Sequence, residues 1–126
     1  MPEKGSFPKI VLLVDDEPQV LLVMKAQLEY EGYAVITETS GKGALEVVKN
    51  TKLMCVLLDL GLPDMGGFDV LKEIKAIKAT LPVVIVTGNH EENEARKSFE
   101  FGAWDYVTKP IDFKYLTNIL LIQSQQ

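Results

Sequence analysis

Short runs of apolar residues alternate with amphipathic stretches along this chain. Four such runs, with a weaker fifth at residues 104–108, lack the polar alternation of a half-exposed strand, which predicts strands buried on both faces, as in a parallel sheet. These runs are residues 10–14, 33–36, 53–58, 83–86 and 104–108. Elsewhere apolar residues recur three, four or seven positions apart and predict a buried helix face. The clearest sets are Leu21, Met24 and Leu28; Val70, Ile74 and Ile77; and Phe113, Leu116 and Leu120.

Residues with special backbone preferences stand at the predicted helix ends. Pro18 fits a first helical position, where its missing N–H costs little. Gly32 and Gly102 each follow a helical pattern and fit left-handed caps, while Asp112 fits an N-cap. The segment Gly41-Lys42-Gly43 is too short for a phosphate-binding loop, so we interpret it as the start of the second helix.

The alternation predicts five βα units over residues 9–123. Units this short favour an open, doubly wound α/β fold with a five-stranded parallel sheet over a closed barrel. Right-handed crossovers place helices on both faces, and ligands then bind at the carboxyl ends of the strands. Residues 1–8 are interpreted as a disordered lead-in, and residues 124–126 as a tail or the start of a linker.

Composition narrows the class of protein. A chain of 126 residues with 47% hydrophobic and 25% charged residues is typical of one globular domain. The net charge of −5 makes it a poor candidate for binding nucleic acid directly. A single cysteine, Cys55, excludes an internal disulfide framework and a cysteine-based zinc site. No apolar run approaches the ~18 residues of a membrane span, so the expected location is the cytoplasm, away from the membrane.

Chemically active residue types follow the predicted strands where a ligand site is expected. Asp15 and Asp16 follow the first strand, Asp59 the third, Thr87 the fourth and Lys109 the fifth. Each has an ordinary structural reading: a turn or cap for the aspartates, a backbone contact for the hydroxyl, a solvated lysine. Their joint occurrence at four strand ends of one fold is what favours a shared site.

Three aspartates in one cleft need a counter-charge, because two carboxylates 4 Å apart repel by about 4 kcal/mol at an effective dielectric near 20. Either one carboxylate takes a proton or a divalent cation binds. Oxygen ligands with open water positions suit Mg²⁺, with Mn²⁺ as a substitute. A metal and an ammonium together favour a phosphoryl group, and a central carboxylate can itself be the nucleophile.

The sequence closely resembles the receiver domain of two-component response regulators over residues 9–123. The motifs that carry the resemblance are Val-Asp-Asp-Glu-Pro at 14–18, Leu-Leu-Asp-Leu-Gly-Leu-Pro at 57–63, Val-Thr-Gly at 86–88 and Gly-Ala-Trp-Asp-Tyr-Val-Thr-Lys-Pro at 102–110. It implies a flavodoxin-like sheet with strand order 2-1-3-4-5. It also implies that Asp59 accepts a phosphoryl group from a kinase histidine.

The resemblance assigns further roles around Asp59. Asp16 would bind Mg²⁺ directly, Asp15 would act largely through water, and the Gly61 carbonyl would complete the metal ligands of the protein. Lys109 would pair with Asp59 and then with the phosphate. The peptide bond between Lys109 and Pro110 is expected to be cis.

The resemblance also implies a conformational switch. Thr87 would hydrogen-bond a phosphoryl oxygen, and Tyr106, at the switch-aromatic position, would turn into the space that Thr87 leaves. The surface of the fourth helix, fifth strand and fifth helix would then change. Phosphate would act by biasing an existing equilibrium.

Several positions depart from the common family pattern. Gly66 replaces a short polar residue before the third helix, at a cost of a few tenths of a kcal/mol as a cap. Gly61 and Asn89 occupy positions that help set the dephosphorylation rate, which leaves the phosphate lifetime open. His90 is interpreted as a solvent-facing loop residue, and Cys55 as inert packing in a strand.

Two other functions make different demands on the same residues. A dehalogenase-type phosphatase needs a second aspartate two residues after the nucleophile, where this chain has Gly61. A phosphorylation-independent interaction module with the same fold stays open as the alternative, although every acceptor, acid and lysine position is filled.

The implied partners are a sensor histidine kinase or phosphotransfer protein and an output domain, in the same chain or separate. The last helix is a candidate dimer or effector surface, because a helix on a sheet needs only one apolar stripe. Its apolar residues wrap most of its circumference: Leu116, Ile119, Leu120, Leu121 and Ile122.

Overall fold

The computed structural model describes residues 9–88 and 91–125 and confirms the predicted alternation of strands and helices. The strands are β1 (Ile10–Val14), β2 (Ala34–Glu38), β3 (Cys55–Leu58), β4 (Val83–Thr87) and β5 (Asp105–Thr108). The helices are α1 (Pro18–Tyr30), α2 (Gly41–Asn50), α3 (Gly67–Ile77), α4 (Glu92–Glu100) and α5 (Phe113–Ser124).

The five strands form one parallel sheet in the order β2-β1-β3-β4-β5, which confirms the expected topology. β3 and β4 are buried along their whole length, and β1 is buried from its second residue onward. The expectation of burial on both faces is wrong for β2 and β5, where most residues are only half-buried. Both lie at the edges of the sheet, and among the described residues each has a neighbouring strand on one side alone.

The two largest differences from the predicted strand boundaries have a physical reason. β2 extends to Glu38 because it pairs in register with all of β1, from Ile10 opposite Ala34 to Val14 opposite Glu38. Hydrogen bonding to a neighbour therefore continues beyond the apolar run. β3 begins at Cys55, where pairing with Val11 starts, rather than at residue 53. Apolar runs report burial, whereas strand bounds follow the ladder of backbone hydrogen bonds.

The predicted helix ends are confirmed. Pro18 is the first residue of α1, and α2 begins at Gly41 with Ser40 as its N-cap. Asp112 caps α5 by accepting hydrogen bonds from the amides of residues 114 and 115. Gly32 and Gly102 have φ angles of 98° and 99°, a left-handed conformation that glycine adopts without steric cost.

Two hydrophobic cores cover the two faces of the sheet. The first packs α1 and α5 against the sheet, with Leu28 and Leu116 fully buried. The second packs α2 and α3 against the other face, with Ile74 fully buried. On α5, Leu121 and Ile122 are 53% and 55% exposed, so these two apolar side chains of the helix lie at the surface.

Some predictions fall outside the described part of the chain: the lead-in at residues 1–8, Asn89, His90 and the last residue of the predicted tail. Within the described residues, no helix is both long enough and apolar enough to cross a membrane. Cys55 is fully buried in β3, and burial raises the pKa of its thiol to about 12.

Candidate functional site

Two aspartates lie side by side at the carboxyl edge of the sheet. Asp15 directly follows β1 and Asp59 directly follows β3, and these strands pair in register up to Val14 and Leu58. The Asp59 amide donates a hydrogen bond to the Val14 carbonyl oxygen, 2.9 Å away. Asp15 and Asp59 are only 4% and 7% exposed, so both carboxylates are largely withdrawn from water.

Lys109 reaches both carboxylates from the end of β5. Its Nζ lies 2.7 Å from Asp15 Oδ2, 3.1 Å from Asp59 Oδ2 and 3.6 Å from Glu17 Oε1. The Lys109 amide donates to the Thr87 carbonyl oxygen at 2.8 Å, which anchors the end of β5 beside β4. The bond between Lys109 and Pro110 is cis, as expected.

The ammonium and the buried carboxylates change each other's protonation. Burial raises the pKa of Asp15 above its ordinary value of 3.8, an effect that hydrogen bonds from Lys109 and the Glu17 amide oppose but do not cancel. Burial lowers the pKa of Lys109, but hydrogen bonds and charge attraction from Asp15 and Asp59 outweigh it, and the pKa rises above 10.5. Lys109 therefore stays charged at neutral pH and serves as the counter-ion of the pair.

One lysine does not neutralise the cluster. Asp15, Asp16, Glu17 and Asp59 each offer a carboxylate oxygen, and these four oxygens lie within 4.8 Å of one another. Asp16 and Glu17 are exposed, so one side of the cluster opens to water. An all-oxygen ligand set with room for water fits a hard divalent cation such as Mg²⁺. The residues present are thus compatible with a bound Mg²⁺.

The loop after β3 packs closely beneath Asp59. The Gly61 amide donates to Asp59 Oδ1 at 3.1 Å. At the start of α3, a Cβ on Gly67 would lie 2.4 Å from Leu60 Cα and 2.8 Å from the Leu60 carbonyl oxygen. Only glycine permits this approach, because two of the three nearest atoms belong to the Leu60 backbone, which cannot turn aside as a side chain can.

Thr87 and Tyr106 lie on the same face of the sheet. Tyr106 pairs with Ile85, and Thr87, two residues further along β4, pairs with Thr108. Partners in a parallel register and residues two apart share a face. Thr87 is buried, whereas Tyr106 is half-buried against the core beneath α2 and α3. Burial raises the pKa of Tyr106, and the negative charges of Glu94 and Glu91 add to the effect. The strand that carries Tyr106, β5, packs against α4.

The residues predicted at the strand ends come to this carboxyl edge, and Tyr106 lies in β5 two residues before its end; two neighbours had been given no role in the prediction. Glu17 belongs to the carboxylate cluster, and its position directly after the aspartate doublet was an available signal. Asp64 accepts hydrogen bonds from backbone amides at the start of α2. No local pattern in the sequence indicates this contact, because its partners lie 22 and 23 positions away.

Comparisons with known proteins agree with this geometry. The family model of the response regulator receiver domain matches residues 11–121. The transcriptional regulatory protein KdpE of Mycobacterium tuberculosis is 42% identical over 101 residues, which cover 80% of this chain and 44% of KdpE. The chain thus spans less than half the length of this relative.

Solved structures share the fold. A CheY-like receiver domain protein from Methanospirillum hungatei is 28% identical, with a TM-score of 0.86 over 94% of this chain and 98% of its own. The response regulator TrrA from Thermotoga maritima, solved in complex with Mg²⁺ and BeF, is 29% identical. Its TM-score is 0.83, over 91% of this chain and 98% of TrrA.

Proposed function

The chain belongs to the response regulator receiver domain family, and from that premise we propose that it is a phosphorylation-dependent signalling switch whose acceptor is Asp59. The donor would be the phosphohistidine of a sensor kinase or of a phosphotransfer protein. One observation carries the proposal: Asp59 is a nearly buried carboxylate held by Lys109 inside a cluster of acidic side chains. A purely structural aspartate has no need of three further carboxylates around it.

Asp15, Asp16 and Asp59, with the Gly61 carbonyl, are the proposed ligands of Mg²⁺, for which Mn²⁺ would substitute. When bound, the ion would supply positive charge to phosphoryl oxygens. Metal binding also fits the charges at the site, since Lys109 alone cannot balance the four carboxylates. Glu17 lies within the same cluster and would support the site from its solvent side.

In the proposed transfer, a carboxylate oxygen of Asp59 attacks phosphorus, a P–O bond forms, and the P–N bond to the donor imidazole breaks. Lys109 begins at hydrogen-bonding distance from Asp59 Oδ2 and would shift to a phosphoryl oxygen as charge leaves the carboxylate. Because the Lys109 amide is bonded to the Thr87 carbonyl oxygen, the ammonium is presented from a fixed stretch of backbone. Fixed charge at the reacting group is the main way proteins assist phosphoryl transfer.

The conformational response is proposed to pass through Thr87 and Tyr106. The Thr87 hydroxyl would donate to a phosphoryl oxygen, and the Tyr106 ring would move into the space left behind. Their shared face and adjacent strands support this, because the two side chains are diagonal neighbours. Tyr106 lies on β5, which packs against α4, so its movement would alter the surface formed by α4, β5 and α5.

An apolar groove beside the cleft is the proposed docking surface of the phosphodonor. The groove has a volume of about 380 Å³ and lies between α1 and the segment after β5. Its lining includes Val23, Met24, Ile111, Phe113 and Lys109, so it adjoins the reacting groups directly. A donor histidine must come within bonding distance of Asp59, and an apolar surface next to Lys109 would hold it there.

The proposed output of the switch is a protein contact. The remodelled face would contact an output domain, in the same chain or in a separate protein. Leu121 and Ile122 remain exposed on α5 and are the proposed centre of a dimer contact. The proposed location is the cytoplasm, where phosphohistidine donors are made from ATP, and no direct contact with membrane or nucleic acid is proposed for this domain.

The switch can be tested with fluoroberyllate, a phosphoryl analogue, by recording amide NMR spectra of the ¹⁵N-labelled protein with Mg²⁺. We expect shifts at Thr87, at Tyr106 and along α4 and α5, and none in Asp59→Asn. Thr87→Ala should keep the shifts near Asp59 and lose those at Tyr106. Asp69→Asn, an exposed control on α3, should respond like the wild type. A wild type that does not respond contradicts the proposal and favours the phosphorylation-independent module.

A further inference from the structure

The loop between β3 and α3 is tied to a second helix through Asp64. The Gly41 amide donates to Asp64 Oδ1 at 2.8 Å, and the Lys42 amide donates to Asp64 Oδ2 at 3.0 Å. Both amides belong to the first turn of α2, where N–H groups have no acceptor within the helix. One exposed carboxylate on the loop thus bridges two backbone donors of a different element.

The start of α2 is shaped for this contact. Gly41 is buried, and a Cβ there would lie 2.8 Å from Val70 Cγ2 and 2.9 Å from Met65 Sδ. Without a side chain, the first turn of α2 approaches the loop and α3 closely enough for Asp64 to reach it. This close contact accounts for the first glycine of the Gly41-Lys42-Gly43 segment, which the proposed phosphoryl chemistry does not explain.

Other contacts also restrain the loop between β3 and α3. Its first residues are fixed by the hydrogen bond from the Gly61 amide to Asp59 Oδ1 and by the packing of Gly67 on Leu60. The stretch that contains Gly61 therefore runs between Asp59 and the contact of Asp64 with α2. The Asp64 contact supplies the hydrogen bonds that link the loop to α2, next to the packing of Met65 against Gly41.

We infer that Asp64 is a positioning residue for the metal site: its contact with the α2 amides fixes the loop that presents the Gly61 carbonyl. The inference rests on the proposed function, in which that carbonyl is a metal ligand. Backbone hydrogen bonds from Gly41 and Lys42 lower the pKa of Asp64, so the carboxylate is ionised at neutral pH and accepts both bonds. Partners that orient a metal ligand commonly change metal affinity 10- to 100-fold when they are removed.

The test is Mg²⁺ binding to the unphosphorylated protein, measured by isothermal titration calorimetry. We expect Asp64→Ala to bind Mg²⁺ about tenfold more weakly, at the lower end of that range because a single ligand is affected. Asp64→Asn keeps one acceptor oxygen and should fall between the wild type and the alanine variant. Hydrogen exchange in metal-free protein should show faster exchange at the Gly41, Lys42 and Gly61 amides of Asp64→Ala.

Two control variants separate the positioning of the loop by Asp64 from two other effects of its removal. These are the loss of a cap on α2 and the loss of one negative charge. Ser40→Ala removes the other α2 cap, the hydrogen bond that Ser40 Oγ accepts from the Gly43 amide, but leaves the loop attached. Asp112→Ala removes one negative charge and a cap of two backbone hydrogen bonds on α5. Both should lose stability and keep the wild-type Mg²⁺ dissociation constant. Repeating the titration near 1 M salt, where the Debye length is about 3 Å, removes long-range attraction.

An Asp64→Ala protein that unfolds cooperatively and binds Mg²⁺ as tightly as the wild type overturns the inference. So does an equal loss of affinity in Ser40→Ala, since capping α2 would then be sufficient. Mg²⁺ binding by the wild type tests the proposed function separately. If it binds no Mg²⁺, the proposed metal site fails together with the inference; if it binds and only the Asp64 dependence is missing, the proposed function stands.

Discussion

Replacing Lys109 with methionine tests whether its ammonium is the counter-charge that lets Asp15 and Asp59 be buried together. Methionine is unbranched, like the aliphatic stem of lysine, so the main change is the loss of the charge. The variant would leave two carboxylates, 4% and 7% exposed, without their shared partner. Removing one partner of a buried ionic cluster is strongly destabilising, because the remaining charges keep their desolvation cost.

The size of the effect follows from the distances. At an effective dielectric near 20, separations of 2.7 and 3.1 Å give attractions of about 6 and about 5 kcal/mol. Carboxylate oxygens no more than 4.8 Å apart repel by at least about 3.5 kcal/mol on the same scale. Desolvation offsets much of the attraction, so we expect Lys109→Met to lower the free energy of unfolding by about 3–5 kcal/mol near neutral pH without Mg²⁺.

The loss should depend on pH in a defined direction. Without Lys109, Asp15 loses the hydrogen bond and the positive charge that lower its pKa, so its folded pKa rises further above 3.8 and it takes up a proton more readily. A raised carboxyl pKa means that stability falls as pH increases through the interval between the two values. In the wild type the pKa of Lys109 is raised above 10.5, so the ammonium stays charged at both pH 5 and pH 7.5. The difference between the two proteins should therefore widen from pH 5 to pH 7.5.

Urea unfolding at pH 5 and pH 7.5, with and without Mg²⁺, measures this difference. Lys25→Met is the matched control, because Lys25 forms a single exposed ion pair with Glu29 at 3.1 Å, worth about 1 kcal/mol or less. Mg²⁺ should recover part of the stability lost in Lys109→Met. A Lys109→Met protein within about 1 kcal/mol of the wild type at pH 7.5 without Mg²⁺ would refute the reasoning. A difference that is equal at both pH values would refute the pH argument.

Two further predictions concern packing. Gly67→Ala should lower the free energy of unfolding by about 3 kcal/mol, because its Cβ would lie 2.4 Å from the Leu60 backbone; Gly88→Ala, where a Cβ meets nothing within 4 Å, should stay within about 0.5 kcal/mol of the wild type. Equal midpoints in urea for the two variants would contradict this. Cys55 is fully buried with a pKa raised to about 12, so a thiol reagent should label it only when urea unfolds the protein; rapid labelling under native conditions would contradict that burial.

The sheet and the acidic site were predictable because each follows from a strong local signal. Continuous apolar runs such as residues 83–86 identify interior strands, and polar residues directly after them must meet at one edge of a parallel sheet. Asp15, Asp59 and Lys109 come from three separate segments, yet the order of the strands brings them within hydrogen-bonding distance. The order and register of the strands set the distances between these side chains.

Contacts between distant loops were not predictable from one sequence. The extension of β2 to Glu38 depends on its pairing with β1, which an apolar run does not report. The hydrogen bonds of Asp64 depend on the packing of α2 against α3, and a proline-flanked aspartate in a loop usually indicates only a turn. The close approach of Gly67 to Leu60 likewise appears only when both backbones are placed.

The central claim, that Asp59 is the phosphoacceptor, is tested most directly by intact-mass spectrometry after incubation with a small-molecule phosphodonor. The account predicts a Mg²⁺-dependent gain of one phosphoryl group in the wild type, no gain in Asp59→Asn, and an unchanged gain in Asp69→Asn. Labelling that persists in Asp59→Asn would contradict the assignment of the acceptor. No labelling of the wild type, under conditions that label another receiver domain, would contradict phosphoryl transfer at this site altogether.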